Sequence, residues 1–278
     1  LALEEDLTAH EQAYFVDLVP YEGAETCIAC HTNAGDDVMA SGHWNWEGVS
    51  EGIEGHETEI HGKTDLINNF CIAIPTNEPR CTQCHVGYGW ADNSFDHTDE
   101  TKIDCLVCHD TTGTYAKDPK TAGNPAPGVD LRDVALNVGT PGRKNCGACH
   151  FSAGGGDNVK HGDLASTLVS TTREMDVHMG TDGVNLSCQA CHTTTNHNIA
   201  GMPLHSRDEG SVACIDCHTA DVHAMGLLNA HAERIACQSC HIPAISRAMP
   251  TKTEWYWGDA GQDIDPIPVD EYGKPLYY

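Results

Sequence analysis

The sequence has few aromatic residues, few basic residues and no long hydrophobic run. Only 6% of its 278 residues are aromatic and 40% are hydrophobic, which is too little apolar material for a self-sufficient side-chain core. Fifteen Lys and Arg face 41 Asp and Glu, so the formal net charge is −26. This imbalance argues against a nucleic acid or an anionic membrane surface as partner. No apolar run approaches the roughly 18 residues that a membrane-spanning helix needs.

Cysteine, in contrast, is abundant and regularly placed. Fourteen of the 15 cysteines stand in the pattern Cys-x-x-Cys-His, which occurs seven times and is the signature of covalent c-type haem attachment. Two thiols three residues apart lie on one face of a helical turn, where they can bond to the two vinyl groups of one porphyrin. The histidine that follows is placed to bind the iron. The seven motifs are Cys27-Cys30-His31, Cys81-Cys84-His85, Cys105-Cys108-His109, Cys146-Cys149-His150, Cys188-Cys191-His192, Cys214-Cys217-His218 and Cys237-Cys240-His241.

Other uses of cysteine do not account for this pattern. A disulfide framework needs no histidine after every second cysteine, and tetrahedral zinc sites do not require histidine at this fixed offset. A thioredoxin-like redox motif occurs once in a domain. We therefore predict seven covalently bound haems c in one multihaem cytochrome domain spanning residues 1–278. Covalent haem attachment takes place outside the cytoplasm, and the chain begins without the basic region of a secretory signal. We expect an exported, periplasmic or extracellular protein whose signal peptide has been removed.

The predicted fold is mainly α with extensive loops, wrapped around a haem array, with little β structure. The motif spacings are irregular, which excludes a solenoid of equal repeats. We expect a short helix to begin at each motif and further helices over Glu4–Val16, with its acidic first turn, and Leu227–Ala236. The segment Gly113–Gly128 contains three prolines and is predicted to be a loop.

Histidines outside the motifs are numerous enough to supply a second axial ligand to every iron. Two histidine ligands favour low-potential haems that conduct electrons, whereas methionine ligation would raise the potentials. The eleven candidates are His10, His43, His56, His61, His97, His161, His178, His197, His205, His223 and His231.

Negative charge is concentrated at the beginning of the chain. The first 62 residues contain 14 acidic side chains and no Lys or Arg. A solvated acidic face is one interpretation. A docking surface for a basic redox partner is another, and Asp36-Asp37 and Glu54–Glu59 are candidates for a divalent cation such as calcium.

Several longer segments resemble the octahaem tetrathionate reductase family, and the resemblance runs over nearly the whole chain. The glycine-rich segment is far more specific than the haem motifs. The matching segments are Asn69-Phe70-Cys71-Ile72, Cys84–Trp90, Asp104–Asp110, Gly154–Leu164, Asp176–Gly180 and Cys240-His241-Ile242-Pro243.

The resemblance implies that the haem of the second motif is an active site that reduces tetrathionate, nitrite or hydroxylamine. It places Lys160 as the distal ligand of that haem, with Asp157 and Cys71 near the same pocket. Without the resemblance, Lys160 would be read as an exposed base and Cys71 as a buried structural thiol. A lysine must lose its proton to bind iron, at a cost of about 4.6 kcal/mol at pH 7 from its reference pKa. A substrate could therefore displace it more easily than an imidazole.

On the same resemblance, distal ligands for the other irons are sought among six histidines. They are His43, His161, His178, His197, His223 and His231.

The chain departs from the family in having seven motifs and in ending at Tyr278, so we expect an eighth haem and a C-terminal region to have been lost or cleaved. The leading hypothesis is a reductase that takes electrons from redox partner proteins and acts on a small anionic substrate. The alternative is a non-catalytic electron conduit, such as a homo-oligomer or a subunit of an extracellular cytochrome filament.

Overall fold

The computed structural model consists of short helices joined by long turns and loops. The predicted helix over Glu4–Val16 lies outside the residues that it describes. The described residues are 21–45, 47–49, 54–62, 77–152, 157, 164–201, 212–242, 244 and 246–247.

Within these ranges ten α-helices form, labelled α1 to α10 in chain order, and none of them is long and apolar enough to cross a membrane. They are Ala24–Ile28, Ala34–Met39, Gly42–Asn45, Glu78–Cys81, Cys105–His109, Leu131–Leu136, Arg143–His150, Cys214–Cys217, Gly226–Ala232 and Gln238–His241. Single turns of 3₁₀ helix cover Thr82–Cys84, Glu100–Lys102, Ser166–Ser170 and Cys188–Ala190.

Every haem motif includes a helical turn, as predicted, although α1, α4 and α7 begin three residues before the first cysteine of their motifs. In four motifs the histidine N–H donates to the carbonyl of the first cysteine at 2.9–3.0 Å, which closes one α-helical turn between the two residues. Residues four apart lie on one helix face. The motif thereby presents its thiols and its imidazole toward the same side of the turn.

The sheet content is small, as predicted. β1 (Glu47–Val49) pairs with β2 (Ile60–Gly62) antiparallel, with Gly48 opposite His61. β3 (Thr194–Thr195) pairs with β4 (Asn198–Ile199).

The two residues between β3 and β4 have left-handed backbone conformations. Asn196 has φ of 49° and His197 has φ of 60°, which is the type I′ geometry of a two-residue hairpin. Histidine in this region costs about 1 kcal/mol or more. The sequence thus keeps a predicted haem ligand at a position that would suit glycine better.

The apolar core of the described residues is small. One cluster is built around Trp44, Ile103 and Val107, and a second joins Leu106 of α5 to Val134 of α6. α6 begins after Asp130, whose carboxylate accepts the N–H groups of the two residues following Leu131, a standard helix cap.

The C-terminal described segment, residues 212–242, has no buried residue. Ile215 is 67% exposed, Leu227 63% and Met225 59%. The predicted helix over Leu227–Ala236 is observed as α9, Gly226–Ala232. It ends earlier than predicted, and the N–H groups of Arg234 and Ile235 both donate to the His231 carbonyl beyond its last turn. Two haem motifs flank α9, so these apolar side chains are suitably placed to pack against porphyrins.

Candidate haem centres

Besides His85, which lies 6.0 Å from His97 and is described below, four motif histidines face a second imidazole at nearly the same separation. An imidazole nitrogen binds a first-row metal at about 2 Å, so two rings that share one iron have centres about 6 Å apart. The observed separations fit a pair of axial ligands on one haem iron. They are 6.2 Å for His43 and His150, 6.4 Å for His109 and His197, 6.1 Å for His178 and His218, and 6.0 Å for His223 and His241.

Each of these pairs joins one motif histidine to one of the predicted distal ligands. His43 reaches the fourth motif, His197 the third, His178 the sixth and His223 the seventh. In three of the pairs the non-motif histidine comes from a segment that does not adjoin the motif it reaches. The pairing could not be read from the sequence, because it depends on the path of the loops.

Hydrogen bonds at the other ring nitrogen prepare two motif histidines for a metal. Nδ1 of His109 donates to the Gly139 carbonyl at 2.9 Å, and Nδ1 of His192 donates to the Ala200 carbonyl at 3.0 Å. A carbonyl oxygen can only accept, so the proton resides on Nδ1 and the lone pair of Nε2 is left for a metal.

Thiol contacts show which motifs are neighbours. The contacts join the first motif to the third, the second to the fourth, the fourth to the fifth and the sixth to the seventh. The thiols that lie close together are Cys27 and Cys105, Cys84 and Cys149, Cys146 and Cys188, and Cys214 and Cys237.

The second motif is built differently from the four paired ones. The His85 side chain is completely buried, and its ring centre lies 4.7 Å from that of Trp44 and 5.0 Å from that of Trp90. Burial lowers the pKa of His85 to about 3, which keeps the imidazole neutral. Its Nε2 donates to the Trp44 carbonyl at 2.8 Å. Iron binding by Nε2 would require this hydrogen bond to be given up.

His97 is also near the second motif. Its ring centre is 6.0 Å from that of His85, but it lies closer to Trp90, at 4.7 Å, and to Phe95, at 4.9 Å. It therefore belongs to an aromatic cluster around the second motif.

The other predicted site residues are placed as follows. Asp157 is exposed, and its carboxylate accepts the Ser166 N–H at 2.8 Å and the Ser166 hydroxyl. These hydrogen bonds lower its pKa, so the carboxylate is ionised and bound to Ser166. His231 lies exposed on α9, and the described part of the chain gives it no imidazole partner. Lys160, Cys71 and His161 lie outside the described residues.

The described residues include no group of three or more His, Cys, Asp or Glu side chains arranged to hold a metal ion. In the acidic segment considered for calcium, Asp37 lies 3.9 Å from Nδ1 of His197. Glu59 lies 2.9 Å from His56 and 3.0 Å from His61.

A solved structure has the same fold. The octahaem cytochrome c of Shewanella oneidensis superposes with a TM-score of 0.75 and is 47% identical over 91% of this chain. The chain belongs to the octahaem family of multihaem cytochromes. This cytochrome spans 57% of the length of the Shewanella protein. An uncharacterized protein of Archaeoglobus fulgidus is 27% identical over 229 residues, which are 65% of this chain and 76% of that protein. No protein-family model matches the sequence.

Sequence reasoning missed a buried charged group that links two haem motifs of the cytochrome. Nζ of Lys117 lies 3.2 Å from the Asp104 carboxylate, and the two side chains are 8% and 0% exposed. Lys117 also donates to the carbonyls of His85, at 2.5 Å, and Gly87, at 3.1 Å. The same carboxylate accepts the N–H of Val107 in α5 at 3.1 Å. Asp104 directly precedes the third motif, whereas nothing in the Pro-rich loop distinguishes Lys117 from an exposed lysine.

Two tyrosine hydroxyls complete this group. Tyr115 donates to Asp104 at 2.7 Å and Tyr88 donates to it at 3.1 Å, and the Tyr21 hydroxyl lies 3.1 Å from that of Tyr88. Burial raises the pKa of all three phenols. All three phenols therefore remain neutral, and two of them, Tyr115 and Tyr88, donate to the single carboxylate.

Proposed function

We propose that this octahaem-family cytochrome carries electrons along bis-histidine haems to a haem at the second motif, where a small sulfur or nitrogen oxyanion is reduced. Tetrathionate, nitrite and hydroxylamine are the proposed substrates. Electron transfer is the general function of multihaem cytochromes. The observation that carries the finer proposal concerns His85. Unlike the motif histidines of the four pairs, it is buried among aromatic rings, and its Nε2 is hydrogen-bonded to the Trp44 carbonyl.

In the proposal, one haem c is bound at each of the seven motifs. The imidazole pairs His43–His150, His109–His197, His178–His218 and His223–His241 hold four irons. When bound, the haems supply one-electron redox chemistry. The thiol contacts support an arrangement in which the first motif adjoins the third, and the second and fifth adjoin the fourth.

A contact between α5 and α7 connects the first and third motifs to the group formed by the second, fourth and fifth motifs. Asn145 of α7 donates through Nδ2 to the Asp110 carbonyl at 3.0 Å, directly after the third motif. The third and fourth motifs are therefore neighbours as well. This continuity supports an uninterrupted path from the first motif to the second.

The buried side of the second motif supports exchange of ligands on its other side. Trp44, Trp90 and Phe95 surround the His85 ring, and Lys117 binds its carbonyl. Water and anions have no access through such a packed aromatic wall. We propose that Lys160 occupies the opposite side and is displaced by substrate, with Cys71 near it. The released ammonium would then attract an anion in an otherwise acidic protein.

In the proposal, Asp157 acts only as a hydrogen-bond acceptor. Its carboxylate is ionised and holds Ser166, so it is not a proton donor at neutral pH. We propose that it accepts a hydrogen bond near Lys160 and orients that side chain.

The proposal is tested by oxidant addition to the fully reduced holoprotein under anaerobic conditions. We expect tetrathionate, nitrite or hydroxylamine to reoxidise the haems repeatedly when reductant is supplied. The variant Lys160→Met should lose most of this turnover while keeping its haem content. Lys120→Met changes an exposed lysine and serves as the matched control. Reoxidation by none of the three compounds would contradict the reductase proposal.

A non-catalytic electron conduit is the second candidate, and His97 favours it. Its ring centre lies 6.0 Å from that of His85, which matches the separation of the two rings within each of the four pairs. If His97 rather than Lys160 binds the second iron, His97→Ala will change the low-spin spectrum of one haem and Lys160→Met will not. A conduit of this kind would act as a homo-oligomer or within an extracellular filament.

We further propose that residues 1–278 form one domain that works in the periplasm or outside the cell. Its electrons would come from redox partner proteins. The excess of acidic side chains in the first 62 residues would favour a basic partner.

A further inference from the structure

We propose that Asn229 is a positioning residue that fixes the tautomer and the plane of the His223 imidazole against His241. The inference rests on the proposed function, because it requires His223 and His241 to bind one iron. In this proposal the Asn229 side chain of α9 controls the geometry of the histidine ligands at the seventh motif.

Three contacts join Asn229 to His223. Oδ1 of Asn229 accepts the backbone N–H of His223 at 2.9 Å and lies 3.1 Å from its Nδ1. Nδ2 of Asn229 donates to the His223 carbonyl at 3.0 Å. The backbone contacts settle which amide atom is oxygen, because an N–H must meet an acceptor and a carbonyl must meet a donor.

These contacts determine the protonation of the ring. Nδ1 faces an oxygen that can only accept, so Nδ1 carries the proton and Nε2 keeps the lone pair. The ring centres of His223 and His241 are 6.0 Å apart. Asn229 therefore selects the tautomer that a metal between the two rings would need.

The position of Asn229 makes it a rigid support. It lies within α9, whereas His223 lies in the turn before that helix. Asparagine is a poor residue inside a helix, costing roughly 0.5 kcal/mol relative to alanine. Its contacts with the turn account for its presence there.

The seventh motif also differs from the other three pairs in ring orientation. The planes of His223 and His241 are within 16° of parallel, whereas the other pairs are inclined by 61–70°. In low-spin ferric haems, nearly parallel imidazole planes give a rhombic EPR signal and strongly inclined planes give a highly anisotropic one. The seventh motif should thus contribute a distinguishable signal.

The test compares Asn229→Ala, Asn229→Asp and His223→Ala in the holoprotein. We expect Asn229→Ala to keep all covalent haem, measured by intact mass, and to convert one rhombic EPR signal into an anisotropic or high-spin one. Asn229→Asp should keep the rhombic signal, since its carboxylate still accepts from Nδ1. A carboxylate makes the imidazole a stronger ligand, so one haem should shift by about tenfold in its redox equilibrium, or about 59 mV. Glu233→Gln, at the exposed end of α9, is the matched control.

Failure of the His223–His241 pair and failure of the role of Asn229 give different results. If His223→Ala leaves all low-spin signals unchanged, the His223–His241 pair is wrong and the proposed function loses one of its ligand sets. If His223→Ala removes one signal while both Asn229 variants match the control, the pair stands and the role of Asn229 is overturned. A loss of bound haem in Asn229→Ala together with an unshifted potential in Asn229→Asp would also contradict the inference.

Discussion

Asp104 shows how one buried carboxylate connects two haem motifs. It caps α5, which carries the third motif, and it pairs with Lys117, which binds carbonyls at the second motif. Both charges are shielded from water, so each depends on the other. The pair therefore fixes the second motif against the third.

Replacing one member of this pair should be costly. We expect Lys117→Met to lower the free energy of unfolding by about 3–5 kcal/mol, because it leaves the Asp104 charge buried without its counter-ion. The matched control is Lys102→Met, which breaks an exposed pair with Asp99 at 4.0 Å and should cost less than about 1 kcal/mol. Denaturant unfolding of the two holoproteins measures the difference. Equal losses in both variants would contradict the assignment.

At the scale of elements, Arg143 anchors the segment between the fourth and fifth motifs, to which Arg247 also donates at the carbonyls of Glu174 and Met175. Arg143, at the start of α7, donates to the carbonyls of Met179 and Leu186 at 2.6 Å each and to Oδ1 of Asn185 at 3.0 Å. This segment carries His178, the imidazole that faces the sixth motif. The helix of one haem motif thus anchors the segment that carries the proposed ligand of another.

The variant Arg143→Met should remove this anchor. We expect a loss of about 3 kcal/mol in unfolding free energy, since three part-buried acceptors lose a charged donor. One low-spin haem signal should also weaken as His178 moves away from His218. The exposed neighbour Lys144 provides the control: Lys144→Met should change neither the unfolding curve nor the EPR spectrum. A loss of stability with unchanged spectra would show that Arg143 does not position His178.

At the scale of the whole molecule, we expect the net charge to control how fast charged reductants deliver electrons. A net charge of −26 attracts cationic reductants and repels anionic ones, and salt screens both effects over a Debye length of about 10 Å at 0.1 M.

Reduction by a cationic viologen radical should therefore slow as salt is added. We expect a decrease of about tenfold between low ionic strength and ~0.5 M, measured by stopped-flow absorbance. Reduction by the anion dithionite should become faster over the same range. A common salt dependence for both reductants would mean that the overall charge does not control electron entry.

Much of this architecture follows from the sequence. The seven motifs predict the helical turns, the small amount of sheet and the weak apolar core, because a covalently anchored porphyrin imposes its own local spacing. The Pro-rich segment Gly113–Gly128 is observed without helix or strand, as predicted. The limits of helices were less accurate: α9 ends at Ala232, where a backbone turn leads into the last motif.

The sequence alone determined the predicted sites of haem attachment, since thiol spacing and the adjacent histidine are local properties of the chain. Only the tertiary structure decided which imidazole faces which motif, which thiols are neighbours and that Lys117 is buried against Asp104. These relations join residues far apart in the chain, such as His43 and His150. Local patterns carry no information on them, because loop paths and burial arise only when the whole chain packs.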